Sequence, residues 1–143
     1  MEVSAVLPDH LFSCYPHIKH LLMRAVETSN GRYSLNDLLK EIYESDQQLW
    51  ICYDGDPIEY RSICTTKMQE YPKCKLLGIV YASGDDMESW RDPLLDVLER
   101  FALDNGCSGL EMIGRRGWER VLKSRRWNVE SQIYRMDLGV THE

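Results

Sequence analysis

The sequence predicts an α/β domain, a sheet with helices on its face, and three stretches carry that prediction. Residues 75–138 read as strand, helix, strand, helix and strand, residues 49–66 as a hairpin, and residues 16–45 as two amphipathic helices. An apolar strand followed by an apolar-faced helix packs best as neighbouring strands of one sheet with helices laid on it. The order is roughly β-α-α-β-β-β-α-β-α-β. A chain of 143 residues, 43% of them hydrophobic, buries one core, so one domain over 1–143 is expected.

Residues 2–7 predict a first strand, stopped by Pro8. From Pro16, the residues Ile18, Leu21, Leu22, Ala25 and Val26 recur at helical spacing, and Asn30-Gly31 supplies a left-handed stop. Ser34 with Asp37 resembles a capping box, and Leu35, Leu38, Leu39, Ile42 and Tyr43 continue one apolar face. Leu49-Trp50-Ile51-Cys52-Tyr53 is rich in strand formers, Asp54-Gly55 signals a turn, and alternation resumes over 58–66. Residues 68–73 read as a polar connection or one helical turn. Residues 74–82 are unbrokenly apolar, as in a strand covered on both faces.

After an acidic connection, Asp92 can cap a helix with Pro93 in its first turn and with Leu94, Leu95, Leu98, Phe101 and Ala102 on one face. Asn105-Gly106 ends it. Residues 110–113 form a short strand, residues 114–117 lead into a helix carrying Trp118, Val121 and Leu122, and residues 129–138 alternate as a last strand. That last strand offers an exposed edge for homo-oligomer formation.

A net charge of −6 and a pI near 5.2 repel nucleic acid and acidic membranes as a whole. Five cysteines without a Cys-x-x-Cys pair fit reduced thiols in a cytosolic setting. Cys52, Cys64 and Cys74 read as small core residues, and Cys107 packs rather than reacts. With no basic-then-apolar leader and no apolar run near eighteen residues, a soluble intracellular protein is expected.

Several clusters have a chemical reading and a plainer one. His17 and His20 share a helix face but lack a third ligand at metal spacing, so solvated histidines are favoured and no metal is expected. The acidic residues Asp85, Asp86 and Glu88 suggest a cation, yet a solvated loop, or one contacting protein through Trp90, fits better. Trp50 and Trp118 fit the core by phase, whereas Trp90 lies in a polar stretch and is the tryptophan expected to be exposed. Arg116, Arg120 and Lys123 fall on one helix face that suits phosphate, RNA or an acidic protein, or forms a solvated face.

The order of elements, with the segment Leu110-Glu111-Met112-Ile113-Gly114-Arg115-Arg116-Gly117-Trp118-Glu119-Arg120-Val121-Leu122 and the following Arg126-Trp127, resembles the GNAT superfamily of acyl-CoA-dependent N-acyltransferases. Leu49-Trp50 paired with the segment 114–122 is similar to the GNAT-like proteins of tailed bacteriophages. The resemblance implies a GNAT-like mixed central sheet with about four helices packed on it. It also implies acetyl-CoA as cofactor and, in an active member, N-acyl transfer.

Two departures bear on activity. The glycine-rich Gln/Arg-x-x-Gly-x-Gly/Ala turn that cradles the CoA pyrophosphate in that superfamily is replaced by Ser83-Gly84-Asp85-Asp86-Met87-Glu88, and four acids against Arg91 through residue 92 leave a local charge of about −3. Five residues before Trp127, where many active relatives carry a proton-donating tyrosine, stands Leu122. The expectation is a GNAT-like domain without an orthodox acetyl-CoA loop and with no cofactor. It would work through protein contacts at Trp90, Arg116, Arg120 and Lys123, in a virion or on a host protein in the host cytoplasm. The alternative is an acetyl-CoA-dependent N-acetyltransferase with a non-standard grip from Val80, Tyr81, Ala82, Gly84, Arg115 and Arg116. No catalytic residue is assigned.

Overall fold

The computed structural model describes residues 1–114 and 116–140, without the side chain of Arg116. It forms two compact units, Met1–Ile113 and Gly114–Glu143. The first unit carries a five-stranded mixed sheet in the order β1-β2-β3-β4-β5. Its strands are β1 (Glu2–Val6), β2 (Gln48–Asp54), β3 (Glu59–Glu70), β4 (Lys75–Gly84) and β5 (Gly109–Met112). The first four pair antiparallel and β5 runs parallel to β4. The helices of this unit are α1 (Leu11–Glu27), α2 (Leu35–Tyr43) and α3 (Met87–Asp104). The second unit holds α4 (Arg116–Ser124). Among the described residues no helix is long and apolar enough to cross a membrane.

Strand alternation sorts the core into two layers. Leu49, Ile51, Ile63 and Tyr81 project from one face into a cluster with Leu11, Ile18, Leu21, Leu22 and Ala25 of α1 and Leu38 and Ile42 of α2. On the other face Trp50 meets Phe101 of α3 edge-on, with ring centroids 4.9 Å apart. Its indole donates to Thr66 Oγ1 at 2.9 Å, and Thr66 donates in turn to Gln48 Oε1. That chain satisfies polar atoms the sheet would otherwise bury bare. The capping box of α2 forms as the sequence predicts, with Asp37 N–H on Ser34 Oγ at 3.1 Å and Ser34 N–H on Asp37 Oδ2 at 2.9 Å. The Ser34 backbone and hydroxyl hold the Asp37 carboxyl below its ordinary range.

Five expectations are corrected. Both proline-bearing helices start earlier than predicted: α1 begins at Leu11 with Pro16 inside it, and α3 begins at Met87 with Pro93 inside it. An interior proline costs about 3 kcal/mol, but the extra turns bury Leu11 completely and Trp90 to 1% exposure, which offsets that cost. Trp90 is therefore a core residue and not the exposed anchor its polar neighbours suggest. Strand β3 runs on to Glu70, where a connection was expected, because Met68, Gln69 and Glu70 pair with Leu77, Leu76 and Lys75. A tight turn follows, with Tyr71 N–H on the Cys74 carbonyl at 2.8 Å, so Cys74 sits exposed on a corner while Cys52 and Cys64 are buried as expected. Lastly, described residues 127–140 contain no strand.

Gly84 closes β4 against β3 so tightly that a Cβ there would lie 2.4 Å from the Arg61 carbonyl oxygen and 2.6 Å from Ser62 Cβ. Gly84→Ala should lower unfolding free energy by about 1–3 kcal/mol, read from urea denaturation, whereas Ser34→Ala should cost about 1 kcal/mol through the lost cap.

Candidate functional site

The sheet is irregular at one point that matters. Thr65 of β3 lies opposite Tyr81 and Thr66 lies opposite Ile79, so Val80 is an extra residue in β4 without a partner across the pair. Such a bulge bends the strand and increases its twist. On the other side, β5 pairs with β4 from Leu76 to Ile79 and stops there. Beyond the bulge, no described strand pairs with the outer edge of β4.

Val80, Tyr81, Ala82 and Gly84 are thus brought together on the half of β4 that β5 leaves. Val80 and Tyr81 both pack toward the α1–α2 layer. Ser83 donates its hydroxyl to the Leu21 carbonyl at 2.8 Å and pins this end of β4 to α1. Arg115 and the side chain of Arg116 lie outside the described residues. Arg120 and Lys123 stand exposed on α4, with Lys123 Nζ 3.6 Å from Glu119.

The connection from β4 to α3 consists of Asp85 and Asp86 alone. Asp86 takes the left-handed conformation, φ 54° and ψ 53°, which aspartate tolerates better than most residues. The backbone of this turn is already engaged inward: Trp90 Nε1 donates to the Asp85 carbonyl at 2.8 Å, and Ser89 N–H donates to the Asp86 carbonyl at 2.9 Å. The Asp85 carboxylate meets Arg24 of α1 at 3.2 Å, in solvent. Acidic side chains thus surround the N-terminus of α3 at the end of β4.

A second feature was not legible in the sequence. A shallow surface groove beside α2 is lined by Arg32, Tyr33, Asp37, Lys40, Glu41, Glu44 and Asp46. Of its lining residues, Tyr33 stands edge-on to Tyr81 of β4, with centroids 5.7 Å apart. Burial, then the neighbouring Glu41 carboxylate, pushes the Tyr33 hydroxyl up to about 12. Gln47, 1% exposed, lies near that hydroxyl with neither amide atom in hydrogen-bonding geometry. These residues share no spacing motif; α2 and the start of β2 bring them together.

The sequence matches no protein-family profile and no curated protein. Solved structures do match. A probable acetyltransferase superposes with a TM-score of 0.73 at 11% identity, covering 100% of both chains. A ribosomal-protein-alanine N-acetyltransferase from Brucella melitensis biovar Abortus 2308 gives 0.68 at 9%, covering 96% of this chain and 100% of the other. An aminoglycoside acetyltransferase from an uncultured soil metagenomic sample, in complex with sisomicin, gives 0.64 at 13%, covering 98% and 96%. The fold is that of the GNAT acetyltransferases.

Acetyl-CoA is the cofactor such a fold implies, and the turn after β4 does not fit its diphosphate. Asp85, Asp86 and Glu88 repel it, and among the described residues only Asp85 of the three is paired with a cation, Arg24. In alkaline titration followed at 295 nm, Tyr33 and Tyr81 should ionise late, Tyr33 near pH 12. Tyr33→Phe should diminish that late step.

Proposed function

We propose that this chain is a GNAT-fold domain of bacteriophage type that acts by holding a protein partner, a virion component or a host protein, rather than by transferring an acyl group. The observation that carries the reading is the two-residue acidic turn between β4 and α3. A diphosphate brought to contact with each carboxylate there meets about 1 kcal/mol of repulsion per unit pair in water, and more as water is displaced. Arg24 neutralises one of those carboxylates, and the others remain. The phage setting rests on the resemblance carried by Leu49-Trp50 and residues 114–122. The exposed basic residues Arg120 and Lys123 of α4 suit an acidic partner surface.

A second reading, an N-acyltransferase with a different cofactor grip, is favoured by one observation: the edge of β4 past Ile79 is unflanked by β5 among the described residues. Isothermal titration with acetyl-CoA separates the two. The partner-holding reading expects no saturable heat up to millimolar cofactor. Micromolar binding that Asp85→Gly and Asp86→Gly strengthen, with CoA released in the presence of amines, would establish the enzyme instead. Arg120→Glu with Lys123→Glu should then weaken capture of the partner at least tenfold without shifting the melting temperature by more than a degree or two.

A further inference from the structure

Between α2 and the sheet, the chain buries hydrogen-bonding groups that it does not itself answer. Gln47 is 1% exposed and its backbone N–H is fixed on the Glu41 carbonyl of α2 at 3.2 Å, yet neither Oε1 nor Nε2 has a partner among the described residues. Thr65 of β3 is fully buried and its Oγ1 is in the same condition. Thr65 lies opposite Leu49 on one side and Tyr81 on the other, so it projects to the α1–α2 face that those two residues share. Two phenols and a carboxylate complete the surroundings: Tyr33, edge-on to Tyr81, and Glu41, which stands 3.9 Å from Lys67 Nζ. A buried amide is ordinarily met by protein or by ordered water.

We propose that an internal water molecule is a resident part of this layer, held between the Gln47 side-chain amide, the Tyr33 hydroxyl and the Glu41 carboxylate. Chemistry selects water over an ion. The amide offers a donor at one atom and an acceptor at the other, so only a guest that both gives and takes hydrogen bonds answers it whichever way it is turned. An ammonium only donates, and the carboxylate that would attract one already faces Lys67. A halide only accepts, and Glu41 repels it. The Tyr33 hydroxyl stays protonated to about pH 12, so at ordinary pH it can act in either sense. Water accepts from the amide, donates to the carboxylate and has one bond left for the phenol. Tyr33 and Glu41 also line the groove beside α2, so such a water exchanges with solvent past them. It ties together three pieces of chain that share no local motif: the loop before α2, the helix itself and the residue before β2. The site stands whether or not the chain binds acyl-CoA or a protein partner.

A crystal structure of the full chain, fine enough to show ordered solvent, tests it. A water is expected about 2.7–3.2 Å from a Gln47 amide atom and from Tyr33 Oη or a Glu41 carboxylate oxygen. Gln47→Met removes the amide at nearly constant volume. It should empty that position and lower the melting temperature by several degrees, whereas removing an amide that is simply bare would raise it. A direct bond from Gln47 to a protein group with no water between, an ion or organic molecule in the water's place, or a Gln47→Met chain that melts at or above the parent would each overturn the proposal.

Discussion

Across the pair formed by β3 and β4, the step from Thr66 to Thr65 is matched by three residues, Ile79, Val80 and Tyr81. The surplus residue cannot be absorbed in a flat ladder, so β4 bends and twists where its register shifts. The parallel strand on its other side follows only the straight half, and the Leu76–Gly109 to Ile79–Met112 pairing ends where the bend begins. A sheet with one uninterrupted central strand thereby gains a half-strand that is ordered by β3 and flanked by no described strand on its outer edge. Tyr81, Tyr33 and the groove beside α2 lie on the α1–α2 side of that half-strand, and the turn into α3 lies at its end.

The turn is where this chain departs from what a diphosphate requires. A phosphate cradle works by pointing several backbone N–H groups outward at a helix N-terminus, with small residues that let the ligand approach. Here carboxylates stand where such a ligand would approach. Gly84 spends its missing side chain on close contact with Arg61 and Ser62 of β3, not on room for a ligand. The carbonyls of Asp85 and Asp86 are drawn inward by Trp90 and Ser89, and their side chains are left to solvent. Each tie also shortens the connection, since a longer loop could not keep the Trp90 indole on the Asp85 carbonyl while the ring fills the core.

Elements whose signal is local were readable from the sequence. The Ser34–Asp37 box, the strand formers at 49–53 and the apolar run of β4 each state their structure within a few residues, and the order of elements was enough to suggest the fold. What escaped was decided by tertiary contact. Pro16 and Pro93 look like helix starts, and only the burial of Leu11 and Trp90 one turn upstream shows that the helices begin before them. Residues 68–70 are polar enough for a loop, yet pairing with 75–77 makes them strand. Residues 129–138 have the alternation of a strand, yet described residues 127–140 form none, since alternation alone supplies no pairing. The Tyr33, Glu41 and Gln47 group was invisible for the same reason, being assembled from a loop, a helix face and the residue before a strand.

Fold and chemistry are separable here because they draw on different residues. The fully buried side chains, Leu11, Ile18, Leu22, Leu38, Ile63, Leu77, Leu95 and Leu98 among them, belong to α1, α2, the sheet and α3. None lies in the turn. At about 25 cal/mol per Å² of apolar area, their burial stabilises the same architecture whatever side chains occupy positions 85 and 86. Electrostatics at the turn is thus nearly independent of packing beneath it, apart from the indole that reaches up to the Asp85 carbonyl. Exchange of the carboxylates at 85 and 86 for other polar side chains should therefore cost little in stability.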